Sequence, residues 1–174
     1  PVAAHARKGS AMSRSSLVVV SGLVAAFCIA GNAMAQTAKE LVGTWVNVSN
    51  VTLHQDGKRT DNFGPQGAGM IMFGADGRFV VVNVNPDTPR FASNNRAQGT
   101  PEENKAAVLG SIGLFGTYTL DGKVIRMKVD GSTYPNWTGT EQTRNIASFA
   151  SDELKWTLAG SRGGTAELVW RRAK

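Results

Sequence analysis

The sequence predicts an all-β chain, an up-and-down barrel of about eight strands with one short helix at a barrel end. Leu41-Val42-Gly43-Thr44-Trp45-Val46-Asn47-Val48 is a Gly-x-Trp opening followed by alternating apolar positions. Such an opening suits a first strand that enters the sheet through a tight bend and lays a large ring on the barrel floor. Tight turns recur between apolar runs, several of them Asp-Gly, the strongest short-range hairpin signal. The chain then finishes in Leu168-Val169-Trp170-Arg171, a last strand able to close beside the first.

The region ahead of this strand reads differently. From Met12, the first methionine, run Arg14, the apolar stretch Leu17 to Ala30, and Ala33-Met34-Ala35 before Gln36. These are the basic, apolar and cleavage-site parts of a secretory signal peptide, in order. The apolar run of 14 residues falls short of the roughly 20 needed to span a bilayer. Residues 1–35 are therefore expected to be upstream sequence and signal peptide, and residues 36–174 one barrel domain, periplasmic or secreted, without a stable membrane anchor. Cys28 follows Ala25-Ala26-Phe27 and lacks the small residue that a lipid-attachment site wants just before the cysteine.

Removing residues 1–35 takes Arg7, Lys8 and Arg14 with it, leaving 16 basic against 13 acidic residues, about +3. Neither Lys58-Arg59 nor Arg171-Arg172-Ala173-Lys174 is interleaved with aromatics, so no nucleic-acid face is expected and the terminal run reads as solvated charge. From Gln36 onward there are 139 residues with no cysteine and His54 as the only histidine. That is a comfortable size for one core. It offers no disulfide framework, and neither a Cys/His zinc site nor a Ser-His-Asp triad is expected unless His54 serves. His54 opens the turn His54-Gln55-Asp56-Gly57-Lys58 and reads as a surface residue. No metal or cofactor is expected.

After the first strand the turn at Asp56-Gly57 leads through a loop at Asn62-Phe63-Gly64-Pro65 to a strand from Gly69 to Phe73. Ala75-Asp76-Gly77 turns it into Arg78 to Val84. Asp121-Gly122 joins Phe115–Leu120 to Val124–Val129, and Ser151-Asp152 joins Thr140–Phe149 to Leu154–Leu158. Ile125, Met127 and Val129 alternate with Arg126 and Lys128, and Leu154, Trp156 and Leu158 with Lys155 and Thr157, so each strand has one dry and one wet face. One segment departs from this meander. Thr100-Pro101-Glu102-Glu103 has a capping threonine, proline at the first helical position and glutamate at the third, and the pattern continues through Lys105 to Ile112. With the long polar loop from Asn85 to Asn95 ahead of it, this helix is placed at a barrel end, either gating a cavity or sealing a dry core.

Gly43-Thr44-Trp45, Phe63-Gly64-Pro65, Asp76-Gly77-Arg78, Pro89-Arg90-Phe91-Ala92-Ser93, Gly99-Thr100-Pro101-Glu102-Glu103, Phe115-Gly116 with Tyr118, and Pro135-Asn136-Trp137-Thr138-Gly139-Thr140-Glu141-Gln142-Thr143-Arg144 together resemble the bacterial lipocalin-like domain family. The resemblance runs over nearly the whole chain from residue 36 and implies a closed barrel with a central cavity. It implies no particular reaction. Relatives often carry histidine just ahead of Val129-Asp130-Gly131-Ser132, where this chain has Met127 and Lys128.

Read residue by residue, Ser132 to Arg144 is the best route to a site. Tyr134, Asn136 and Trp137 sit around a proline-stiffened turn that suits a barrel rim. Regular alternation puts Gln142, Arg144 and Ile146 on one face and Glu141, Thr143, Asn145, Ala147 and Phe149 on the other. If the first set faces inward, Arg144 either meets an anionic or carbonyl-bearing ligand or is tied to an aromatic ring or backbone carbonyls. Tyr118 shares a face with Leu114, Gly116 and Leu120, as a cavity phenol or a core tyrosine. Met70 and Met72 share a face as pocket lining or core, and the Arg90-Phe91 loop completes the candidate set. Three functions fit: an exported binder of a small apolar or amphipathic molecule; an isomerase, cyclase or lyase using Tyr118, Arg144 or Glu141; or a structural module with a filled core. The first is the reading adopted.

Overall fold

The computed structural model describes residues 38–160 and 163–174; the expected signal peptide lies outside them. A single helical turn, α1 (Ala38–Leu41), precedes β1 (Gly43–Leu53), β2 (Arg59–Asp61), β3 (Ala68–Phe73) and β4 (Arg78–Val84). Then come α2 (Pro101–Leu109), β5 (Ser111–Asp121), β6 (Val124–Ser132), β7 (Glu141–Phe149), β8 (Glu153–Ala159) and β9 (Thr165–Arg172). Every strand pairs antiparallel with its neighbour, and β1 pairs along its length with β9, which closes the sheet. The two short strands β2 and β3 pair with opposite ends of β1, Leu53 with Arg59 and Gly43 with Phe73. They occupy one staff of the barrel, interrupted by the Phe63-Gly64-Pro65 loop, so the closed barrel counts eight strands. All the hairpins expected from the tight turns are present.

The floor is built around Trp45, which has no exposed surface. Gly43 takes φ +130°, a region L side chains rarely adopt, and this lets the chain turn from α1 into β1. The buried indole Nε1 donates to the Leu41 carbonyl at 2.9 Å. Arg172 lies over the ring, 4.1 Å from its centroid. Its guanidinium donates to the carbonyls of Val42 (2.9 Å), Glu40 (2.6 Å) and Ser151 (2.8 Å). The terminal basic run is thus not wholly solvated charge: Arg172 ties the last strand to the entry of the first.

Strand alternation fills the interior as expected in β6 (Ile125, Met127, Val129) and β8 (Leu154, Trp156), and in β4 Phe79, Val81 and Asn83 take the inner row. Two faces differ from expectation. In β3, where residues of both faces are apolar or small, Gly69, Ile71 and Phe73 take the inner row, which places Met70 and Met72 outside, 45% and 46% exposed. There they pair with Val46 and Val82, and with Thr44 and Val80, on the outer surface. In β7 the register slips between Ile146 and Ser148. This bulge adds one residue and returns Phe149 to the inner side, where its ring packs on Trp45 with centroids 5.9 Å apart.

At the other end lie α2 and the loop before it. Thr100 Oγ1 accepts from the Glu103 N–H at 3.2 Å while the Glu103 carboxylate accepts from the Thr100 N–H at 2.8 Å, a complete capping box. The same carboxylate accepts from the Ala92 N–H at 2.8 Å, pinning the long loop to the helix start. The helix stops at Leu109, and Ile112, expected within it, belongs to β5. No residue of α2 is buried, so it does not seal the core; it borders the barrel mouth. Among the described residues, no helix is long and apolar enough to cross a membrane.

Candidate functional site

Between the floor and the mouth the barrel encloses a cavity of about 110 Å³. Its walls are mainly apolar, with Val81, Leu114, Met127, Leu158 and Leu168 beside the indoles of Trp156 and Trp170, whose centroids are 5.4 Å apart. Polar groups belong to five of the surrounding strands, β1, β4, β7, β8 and β9. Asn50 and Thr52 of β1 are already matched by Asn62, whose Nδ2 donates to Asn50 Oδ1 and whose Oδ1 accepts from Thr52 Oγ1, both at 2.8 Å. The remaining polar atoms are less well matched.

Arg144 enters from β7 at the inward position its alternation predicts and is 7% exposed. Its Nη1 donates to the Thr143 carbonyl at 3.0 Å and its Nη2 to Gln142 Oε1 at 2.7 Å. A guanidinium has five donors, so these two bonds leave most of its capacity open. None of the ion pairs among the described residues involves it. Burial lowers its pKa to about 10, which still leaves it cationic at neutral pH. Asn83 Oδ1, Trp156 Nε1 and Trp170 Nε1 are also buried and have no hydrogen-bond partner within the described protein. All three residues line this same cavity. An unpaired buried polar group costs about 1–3 kcal/mol, so three such groups on residues around one small space mark this part of the barrel as imperfectly matched. Asn83 Oδ1 itself lies against Gly69, its partner across β3 and β4, where a Cβ would land on it.

Above the cavity lies a wider groove of about 860 Å³, bordered by Phe91, α2 and the turn Pro135–Trp137. Its apolar surface includes Val108, Leu109 and Tyr134, which are 69%, 50% and 43% exposed. Phe63, Ile112 and Trp137 line both spaces. Tyr134 meets Trp137 edge to face, 5.6 Å between centroids, so the two amphipathic rings form part of the rim.

Of the candidates, the structure brings Arg144 and Trp137 to the cavity wall, with Gln142 behind Arg144, and Tyr134, Phe91 and Trp137 to the groove. Asn136 and Arg90 are exposed and line neither space. Met70 and Met72, facing outward, line no part of the interior. Tyr118 does point inward but lies toward the floor, where its hydroxyl donates to the Gly74 carbonyl at 3.0 Å and its ring meets Phe73 edge to face. It is a core tyrosine, and burial raises its pKa. Glu141 faces out beside Arg126 at 3.4 Å. Tyr118, Arg144 and Glu141 therefore do not share a site.

Asn83, Trp156 and Trp170 escaped the sequence reading. A signal was available: Asn83 is an inward polar residue in Phe79-Val80-Val81-Val82-Asn83-Val84, and each tryptophan brings an N–H into a dry row. Among the described residues no cluster of three or more His, Cys, Asp or Glu is placed to hold a metal.

No curated protein matches the chain. Among the solved structures it is similar to are three designed barrels. A redesigned β-barrel has 15% identity and a TM-score of 0.42, over 81% of this chain and 98% of that one. A de novo designed fluorescence-activating β-barrel has 14% identity and a TM-score of 0.39, over 78% and 96%. A redesigned β-barrel bound to DFHBI has 15% identity and a TM-score of 0.37, over 78% and 98%. The family model of the lipocalin-like domain matches residues 42–173, nearly the whole barrel from the entry of β1 to the end of β9, and the chain belongs to the lipocalin-like domain family.

Proposed function

We propose that this is an exported binding protein that holds a small, largely apolar molecule in its barrel. The carrying observation is the cavity itself: apolar walls, with a buried guanidinium that has no carboxylate partner among the described residues. Small-molecule sites have this character, an apolar lining with few convergent polar groups. An interior kept only for stability would fill this space or satisfy these groups. Export rests on the order of Arg14, Leu17 to Ala30 and Ala33-Met34-Ala35.

Native mass spectrometry of the protein purified from its own cells tests the binding role. A co-purified small molecule, released on denaturation, is the expected result. Protein that carries nothing and shifts its melting temperature with no member of a panel of apolar probes would be a structural module instead. N-terminal sequencing of exported material is expected to begin at Gln36, and a start upstream of Leu17 would remove the export claim.

A further inference from the structure

We propose that the site is built in two parts for an amphipathic anion, a carboxylate head in the inner cavity and an apolar body in the mouth groove, with Trp137 as the wall they share. This rests on the binding role proposed above and narrows it to a ligand class.

The head follows from Arg144. Its guanidinium lines the cavity with only two of its donors matched and no ion-pair partner among the described residues, which calls for hydrogen-bond acceptors and a negative charge. A carboxylate offers only acceptors, up to four lone-pair sites, and its charge balances a buried cation. An ammonium head would face Arg144 with like charge and bring donors to donors. Asn83 Oδ1 lies against Gly69 and takes no part in the head.

The body follows from size. The inner cavity, about 110 Å³, is no larger than an engineered cavity of roughly 150 Å³ that holds benzene, so it takes a head and a few carbons. A longer apolar chain must leave through a wall. Phe63, Ile112 and Trp137 separate the cavity from the groove and line both. Beyond them, Val108 and Leu109 of α2 present apolar surface that no other part of the described chain covers. The groove thus continues the cavity in the direction an apolar chain would take.

Four probes test this by calorimetry on the protein: octanoate, butyrate, octanol and octylamine. Octanoate is expected to bind at least 10-fold more tightly than butyrate, since each of its four extra methylenes contributes about 4-fold when fully buried and less in an open groove. It is expected to exceed octanol about 10-fold and octylamine by more. Arg144→Gln is expected to erase the preference for octanoate over octanol, and Trp137→Ala to shrink the preference for octanoate over butyrate to under about 3-fold. Octanol binding as well as octanoate would overturn the head assignment while leaving the binding role standing. Butyrate binding as well as octanoate would overturn the assignment of the groove. If none of the four binds and no apolar panel probe does, the binding role falls as well. Should Trp137→Ala lose its cooperative melting transition, the wild-type series still decides.

Discussion

The latch at the barrel floor carries a prediction whose size follows from its contacts. Arg172 spans three backbone carbonyls, those of Glu40, Val42 and Ser151, and covers the Trp45 ring at 4.1 Å. Each hydrogen bond contributes about 0.5–1.5 kcal/mol net, and the cation over the ring about 0.5–1 kcal/mol at a partly exposed site. Arg172→Lys keeps the charge, but a single ammonium on a flexible stem cannot reproduce the planar fork that reaches three carbonyls. With one bond and the cation over the ring kept, it should therefore cost about 1–3 kcal/mol, and Arg172→Ala, which loses all of them, about 2–5 kcal/mol. Trp45→Ala, a fully buried ring, should cost about 3–5 kcal/mol. Urea denaturation of the single variants and the double variant measures both the costs and their coupling. Because the two side chains touch, the double variant should be less destabilised than the sum by about 0.5–1 kcal/mol. Arg172→Lys within about 0.5 kcal/mol of wild type would show that the last strand is not latched through this side chain, and additive losses would separate the latch from the tryptophan.

Three further outcomes are expected. Hydrogen bonds from the Ala92 and Thr100 amides lower the Glu103 pKa, so the tie it makes is complete above its unfolded value and lost as pH falls through the lower folded value; the protection factors of the Ala92 and Thr100 amides, taken against intrinsic exchange at each pH, should fall below about pH 4.5, and unchanged protection at pH 2 would refute this. Tyr118→Phe removes one bond to Gly74 at the floor, so it should cost about 0.5–1.5 kcal/mol in stability and leave octanoate affinity as in wild type; a 10-fold loss of affinity would bring Tyr118 back into the site. Gly116→Ala would drive a Cβ into the Lys128 carbonyl oxygen at the β5–β6 bulge, with a cost of about 2–3 kcal/mol by chemical denaturation; a neutral result would mean the two strands part there easily.

The barrel could be read from the sequence because its information is local and repeated. Asp-Gly turns and the two-residue period of segments such as Ile125-Arg126-Met127-Lys128-Val129 state both the strand and its inner face within a few residues. Period alone fails where both faces are apolar. Met70 and Met72 could have faced either way, and only the packing of Ile71 and Phe73 settles it. It fails again where an insertion shifts the phase, as at Ala147, which turns Phe149 from the outer row to the inner one. The three-residue strand Arg59–Asp61 has no pattern to detect and exists because β1 offers it an edge. Arg172 looked like terminal charge since its carbonyl partners are up to 132 positions away in sequence.

The site divides along the same line. Arg144 and Trp137 could be named in advance, one from alternation within its own strand and the other from an aromatic turn. The unmatched atoms of Asn83, Trp156 and Trp170 could not, because being unmatched is a property of the assembled barrel: each would be unremarkable on an isolated strand, where water completes its hydrogen bonds. Closure of β1 on β9 brings strands β4, β7, β8 and β9 around one space too small for a long chain and too polar for a dry core. The binding role proposed for this space ties the stability of the barrel to occupancy: a ligand bound only by the folded state should raise the melting temperature with concentration, and Arg144→Gln should flatten that rise for octanoate more than for octanol.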